Sequence, residues 1–502
     1  MTWWVWVLAA IAASLVGLAV HDVLQREHAV LRNYPVVGHL RYWLEGIGPE
    51  LRQYIITDND GDRPFSRDQR RWIYTTAKQV DPSVSFGSDN DLDLSPGHLI
   101  VKQTAFPLEQ PRPGDAAYDP DHAIACEKVL GRARGRARAF RMPSVVNISG
   151  MSYGSLGERA VEALNRGAAL AGCLQTTGEG GLTPFHAHGG ELVWQIGTGY
   201  FGCRDSRGRF DLSRFCDVVA AHPVRAVEIK LSQGAKAGLG GILPAAKVTP
   251  EIAEWRGVPP GVDCISPASH REFTDADSML DFVELLAEHT GLPVGIKSAV
   301  GDGALFTDLA RLMAGGDRGV DFVTVDGGEG GTGAGPLTFT DHVGLPFLVG
   351  FPRVRRAFEE AGVADDVVFV GSGRLGLPER ALAAFALGCD AVNVGREAML
   401  SIGCIQAMRC HTNRCPTGVT TNSRWRQRGL DPTLKSVRAA HYLIGLRREL
   451  LWLSRACGAD HPSHVDAGHI EVLGAAGTAT PLARVVGHPP KAAGATPPAG
   501  AP

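Results

Sequence analysis

Six short apolar runs, rich in β-branched residues, each stop at a Gly, Ser or Thr loop. They are VVNISGMSYG (145–154), AVEIKLSQG (226–234), PVGIKSAVG (293–301), DFVTVDGGEGG (321–331), VVFVGSGRLG (367–376) and AVNVGREAM (391–399). Between them lie segments with apolar residues three and four apart, among them ERAVEALNRGAALAG, DSMLDFVELLAEHTG and PERALAAFALG. Strand–helix alternation predicts an α/β fold with a parallel sheet. Sustained over roughly residues 95–400, it has the length of a closed (β/α)8 TIM barrel. A last helix is expected over 433–457, with Leu434, Val437, Ala440, Leu443 and Leu450 on its packed face.

The first residues break this pattern. TWWVWVLAAIAASLVGLAV (2–20) carries no charge, and about 20 apolar residues cross a bilayer. Trp3, Trp4 and Trp6 stand where an interfacial aromatic belt would be. A cleaved signal peptide is the rival reading, but no Lys or Arg precedes the apolar run. The expectation is an uncleaved single-pass transmembrane helix. Arg26 and Arg32 follow it, which places the catalytic part in the cytoplasm. Residues 21–94 are expected to be a polar, partly helical connection, 95–460 the barrel, and 461–502 a flexible tail ending HPPKAAGATPPAGAP.

Charge removes one function class. The 502 residues include 50 Lys and Arg against 53 Asp and Glu, so nucleic acid is not the expected partner. The run GRARGRARAFR (131–141) reads as a solvated face, or as a contact with anionic lipid through Arg134 and Arg136. Of ten cysteines, seven are scattered singly (Cys126, Cys173, Cys203, Cys216, Cys264, Cys389, Cys457) and read as reduced core thiols. Cys404, Cys410 and Cys415 are different. They crowd into GCIQAMRCHTNRCPTGVTT and can supply three ligands to an iron–sulfur cluster. A zinc site with His411 as the fourth ligand, and plain core cysteines, remain alternatives.

Candidate chemistry sits at the strand ends, where such barrels carry their sites. Gly371, Gly373 and Arg374 follow one late strand, and Gly395 and Arg396 the next; a plain tight turn explains each alone, but as a pair at the end of the barrel these loops are expected to cradle a phosphate. Ser149, Met151 and Ser152 end the first clear strand and can line an isoalloxazine ring. Lys297 ends another, where a buried cation calls for an anion, either the N1 region of a reduced flavin or a neighbouring carboxylate. Gly330 and Gly331 belong to a loop too Gly-rich for a helix, passing against cofactor or substrate. Lys230, Gln233 and Lys247 fall in the densest polar loop and fit a dicarboxylate. Lys236, in the same loop, reads as an ordinary solvated lysine. Glu179, in TTGEGG, reads as a partner for a substrate ammonium or as a turn residue.

The chain resembles the FMN-binding synthase domain of glutamate synthases. The stretches that carry the resemblance are ISGMSYGS, TTGEGG, KLSQGAKAGLGGILPAAKV, CISPASH, GGTGAGP, HVGLPF and the three-cysteine segment, in the family's order over roughly residues 95–420. Glu329 departs from it, standing where the family has Asp. The resemblance implies an FMN barrel with a 3Fe-4S cluster on Cys404, Cys410 and Cys415. It also implies 2-oxoglutarate beside Lys230, Gln233 and Lys247, and Lys297 next to the flavin. The implied enzyme is an oxidoreductase acting on CH–NH2 donors. It makes glutamate, or an N-substituted glutamate, from 2-oxoglutarate and ammonia or an amine. With a membrane span expected at the N-terminus, no amidotransferase domain is expected before the barrel, and the chain is similar to the stand-alone glutamate synthase-related members. A separate amidotransferase or electron-donor subunit is then a possible partner. The alternative is a membrane-associated flavin dehydrogenase passing electrons to a quinone or partner protein. A barrel that has lost chemistry is disfavoured by the retained Lys230, Lys297 and cysteines.

Overall fold

A computed structural model describes residues 2–487 apart from 82, 84, 89, 91, 93 and 94 and the side chain of residue 476. The tail expected over 488–502 lies outside the described residues. The chain divides into two compact units, Met1–Arg70 and Arg71–Pro502. The connection expected over 21–94 is therefore split within one helix, Arg67–Lys78.

The first unit holds three helices, Trp3–Leu24, Ala29–Asn33 and Gly38–Leu51, the last running on into the wider turn Arg52–Ile56. Trp3–Leu24 is long and apolar enough to cross a membrane, and none of its apolar window is buried.

The second unit is built on a closed barrel of eight parallel strands. In chain order they are β1 (Val146–Ile148), β2 (Gln175–Thr176), β3 (Leu192–Ile196), β4 (Val224–Lys230), β5 (Val294–Ala299), β6 (Phe322–Asp326), β7 (Val368–Ser372) and β8 (Ala391–Val394). β8 closes on β1 through the register Val392↔Val146. Almost every strand residue is buried, because the barrel interior fills one face and the surrounding helices cover the other. The six runs read from sequence are β1 and β4–β8. The two not read are β2, which is two residues long, and β3, LVWQI.

The long helix Pro432–Ala456 lies against Glu158–Ala171, the helix that follows β1. A Cβ on Gly167 would sit 2.6 Å from that of Ala439, so small residues set this crossing. The packed face consequently differs from the expected one. Ala440, Leu443 and Leu450 are buried as anticipated, with Ser436, Ala439 and Leu446, whereas Leu434 and Val437 are exposed.

Two further expectations change. Residues 461–487 are not a loose tail: Ile470–Leu473 pairs with Leu99–Val101 and with Ala479–Pro481 in an antiparallel three-stranded sheet. Ile470, Leu482 and Ala483 are buried, which gives the segment the apolar area its composition seemed to lack. Within the arginine run, the Arg136 side chain is neither solvated nor free for lipid: it is buried, paired with Glu284 at 2.5 Å and Asp321 at 3.0 Å.

Candidate active site at the barrel mouth

The carboxyl ends of β2, β4, β5 and β6 bring five ionisable side chains together. Lys230, the last residue of β4, donates from Nζ to Glu179 Oε1 at 2.5 Å and to Gln233 Oε1 at 2.7 Å. Glu179 comes from the loop after β2. Burial pushes its carboxyl up, but Lys230, Lys236 and Arg256 hold it below the usual value. One strand further round, Lys297 of β5 faces Asp326, the last residue of β6, at 3.3 Å. Burial opposes the Lys297 charge, and Asp326, Glu228 and Glu179 more than offset it, so its pKa is raised. Beneath them Glu228 accepts from Gln195 Nε2 at 2.5 Å and Thr324 Oγ1 at 2.6 Å, which satisfies a carboxylate inside the barrel.

The loop after β4 is pressed onto the loop after β6. A Cβ on Gly234 would fall 1.7 Å from the Gly327 carbonyl oxygen, so no side chain fits there. Gly234 N–H donates to Asp326 Oδ2 at 3.0 Å, and Gln233 Nε2 reaches the Gly331 carbonyl at 3.4 Å. Gly330 lies against Asp326 and Gly331 against the Arg396 side chain. These contacts fix Gln233 next to Lys230 in a mouth lined by backbone.

The glycines after β7 and β8 are not equivalent. Gly371 is explained by packing: a Cβ there would meet Leu375, Phe347 and Cys389. Gly373 abuts the Gly327 backbone at 3.0 Å. At Gly395 a Cβ would meet nothing nearer than Ser149 Cβ at 3.6 Å, so the mouth is open there between β8 and β1. Arg396 follows Gly395 directly, and the Arg374 guanidinium lies close enough to feel the Arg396 charge. Burial, with Arg380 and Arg396 nearby, pushes the Arg374 guanidinium down to about 10, and burial also lowers Arg396. Arg396 donates to the Glu329 carbonyl. The Glu329 carboxylate accepts from the Phe347 N–H at 2.9 Å, and burial raises its pKa. An anion beside two desolvated guanidinium groups, with open backbone between β8 and β1, matches the requirements of a flavin mononucleotide phosphate. Ser149 is buried in that gap, with Met151 and Ser152 half-buried behind it.

Two expectations shift, and one residue is new. Lys236 is buried, not solvated; its Nζ donates to the Ala334 carbonyl at 2.8 Å, and burial pushes its pKa down to about 8. Lys247 leaves the Lys230 group. Its buried Nζ donates to the Ser155 carbonyl at 2.5 Å and the Cys410 carbonyl at 3.1 Å, tying the loop after β1 to the cysteine loop. Arg256, which no sequence signal marked, is buried with its guanidinium 3.0 Å from the Tyr153 carbonyl and 3.4 Å from Ser152 Oγ. It stacks 5.0 Å from the Phe201 ring and lends its charge to Glu179. His270 holds β4 from behind, 3.0 Å from both the Lys230 carbonyl and Tyr200 Oη.

The cysteines share one loop between β8 and the long helix. Cys415 is buried beside Thr417 at 3.5 Å, and the Tyr74 hydroxyl donates to the Cys404 carbonyl at 2.8 Å. Among the described residues, no three His, Cys, Asp or Glu side chains are gathered closely enough to hold a metal ion. Three thiols on one short loop are a donor set that suits iron.

A family model described as a conserved region in glutamate synthase matches residues 125–460, which take in the whole barrel and the cysteine loop. The chain belongs to the glutamate synthase family. A glutamate synthase large subunit-like protein of Bacillus subtilis, YerD, is 37% identical over 497 residues, covering 92% of this chain and 94% of that protein. An archaeal-type NADPH glutamate synthase of Thermotoga maritima is 32% identical over 400 residues, covering 79% and 72%. The archaeal enzyme of Methanocaldococcus jannaschii is 33% identical over 325 residues, covering 64% and 60%. Among solved structures, flavocytochrome b2 with sulfite bound aligns over 90% of this chain and 89% of its own at 13% identity and a TM-score of 0.41. Membership in the glutamate synthase family makes the chain a glutamate synthase-like oxidoreductase, and the buried group around Lys230 is its candidate centre.

Proposed function

We propose that the chain reduces the imine formed between 2-oxoglutarate and ammonia, or another amine, to glutamate or an N-substituted glutamate. The observation that carries this reading is the Glu179–Lys230–Gln233 group, with a largely buried Glu179–Lys230 pair and with Lys236 and Arg256 flanking it. It offers an excess of cations to a dicarboxylate, and a carboxylate to an incoming ammonium. Lys236 and Arg256 bind substrate carboxylate. Glu179 orients the amine. Lys230 Nζ holds the proton that the imine nitrogen takes up, and Gln233 fixes that Nζ by hydrogen bonding. The Gly-rich loops after β4 and β6 close over the reacting carbon and exclude water.

FMN is the proposed cofactor, held by Arg374, Arg396 and the open backbone at Gly395, with Ser149, Met151 and Ser152 along its ring and Lys297 at its anionic edge. When bound, FMN supplies the hydride that the imine carbon accepts. Cys404, Cys410 and Cys415 are proposed as ligands of a 3Fe-4S cluster. Their spacing and the family support this part of the reading, and no step of the chemistry is assigned to the cluster. The N-terminal helix is proposed as a membrane anchor with the barrel on the cytoplasmic side, supported by its length, its exposure and the following Arg26 and Arg32. The test is anaerobic. Protein reduced with dithionite should be reoxidised by 2-oxoglutarate plus an ammonium salt. Persistence of the reduced spectrum across a panel of 2-oxo acids and amines rejects the reading.

A further inference from the structure

In the unit Met1–Arg70, helix Gly38–Leu51 carries Val37, Leu40, Leu44, Ile47 and Leu51 at three- and four-residue spacing, with Trp43 beside them. That spacing makes one apolar stripe. The stripe lies open: Val37 is 70% exposed, Leu40 55%, Trp43 60% and Leu44 47%. The other face is polar, with His39, Arg41, Tyr42, Glu45 and Glu50, and an Arg41–Glu45 pair at 2.9 Å. A helix divided in this way is stable only when something apolar covers its stripe.

A built joint says what that cover is. Asp22 sits in the last turn of Trp3–Leu24 and is fully buried. Its Oδ2 accepts the Val36 N–H at 2.9 Å, and both its oxygens lie 3.0 Å from His39 Nε2. Burying a carboxylate is costly unless it is fully bonded, so these contacts make a specific clasp and not a chance encounter. His39 belongs to the first turn of the amphipathic helix. The start of that helix is therefore pinned to the end of the apolar one. In a bilayer spanned by Trp3–Leu24, this end is at the boundary between acyl chains and water. A helix pinned there, with an uncharged stripe and a Trp on it, has lipid within reach.

We propose that Gly38–Leu51 lies in the plane of the membrane surface, with Leu40, Trp43 and Leu44 sunk among the lipids and Arg41 and Glu45 in water. The proposal rests on the anchor reading above. It makes the membrane contact two-part, a span and an in-plane helix joined by the Asp22–His39 clasp.

The test uses the full chain in phosphatidylcholine–phosphatidylglycerol vesicles whose acyl chains carry an alkyne tag. A photoreactive benzoylphenylalanine replaces, in turn, Leu40, Leu44, Arg41 and Glu45. Lipid adducts at 40 and 44 at least tenfold above those at 41 and 45 are the expected result. Equal labelling at all four sites, or crosslinks from 40 and 44 to the catalytic unit or to a second copy, would overturn the proposal. Carbonate extraction separates this failure from that of the anchor. A chain that stays with the vesicles but gives no stripe-specific adducts leaves the span intact and refutes the in-plane helix. A chain released by carbonate refutes the span, and the in-plane helix with it.

Discussion

Glu179→Gln is the sharpest perturbation of the proposed site, because it keeps the shape and removes one charge. Lys230 and Glu179 side chains are 9% and 17% exposed, so solvent screens the pair little. Removing one partner of a buried pair costs ~3–5 kcal/mol. Gln233 still accepts from Lys230 at 2.7 Å, which puts the expected cost at the low end, ~3 kcal/mol. Unfolding entropy is about 2.1 cal/mol/K per residue, or ~0.8 kcal/mol/K over roughly 400 cooperative residues, so Tm should fall by about 4 °C. The sign with pH follows from the depressed Glu179 pKa. The pair's contribution is complete above the ordinary value of 4.5 and is lost as pH falls through the lower folded value, so wild type and variant should converge in acid. In turnover, a misdirected Lys230 loses a charge-assisted bond of ~1.5–3 kcal/mol, which lowers kcat/KM for 2-oxoglutarate by about 10- to 100-fold. Calorimetry at pH 7 and pH 4 and steady-state kinetics read both effects. An unchanged Tm together with an unchanged kcat/KM refutes the assignment of this pair.

Three further outcomes are expected. Burial sets the Lys236 pKa at about 8 against an ordinary 10.5, so KM for 2-oxoglutarate should rise as pH passes about 8, and Lys236→Met should abolish that limb. Its folded form binds fewer protons between those values, so its contribution to stability grows from about pH 8 to 10.5, which urea unfolding can follow. Gly234→Ala forces apart two backbones that nearly touch, with an overpacking cost of ~1–3 kcal/mol or more, and limited proteolysis should find the loops after β4 and β6 cleaved faster. Lys247→Met removes the tie between the Ser155 and Cys410 carbonyls; hydrogen exchange over 404–415 should accelerate while KM for 2-oxoglutarate stays put, whereas a raised KM would return Lys247 to the substrate group.

Sequence pattern carried the barrel well, because buried parallel strands ending in Gly loops announce both their length and their polarity. β2 escaped because two residues cannot show a period, and β3 because LVWQI is only five residues long and no long helix separates it from β2. At the site, Lys230 and Lys297 were legible because each interrupts an apolar strand, Lys230 at its end and Lys297 two residues before its end, where a cation demands a partner. Lys236 and Arg256 were not. One lies in a Gly-rich loop and the other at the end of a short helix, and nothing local distinguishes such positions from solvated ones until the loops fold over them. Lys247 stands in the same motif as Lys230, but the 3-10 turn Ala245–Lys247 directs its side chain to the cysteine loop. Gly371 and Gly395 look alike as letters and differ only in what lies opposite them. Asp22 and His39, 17 residues apart, form their clasp through a chain reversal that no spacing rule encodes.

Hydride delivery at this mouth to an imine of 2-oxoglutarate can be read in a single turnover. Protein reduced anaerobically in D2O is mixed with 2-oxoglutarate and 15N-ammonium, and the quenched products are weighed by mass spectrometry. The expected product is one glutamate per flavin, carrying 15N and one deuterium at C2. Recovery of unchanged 2-oxoglutarate beside a flavin that stays reduced would contradict it.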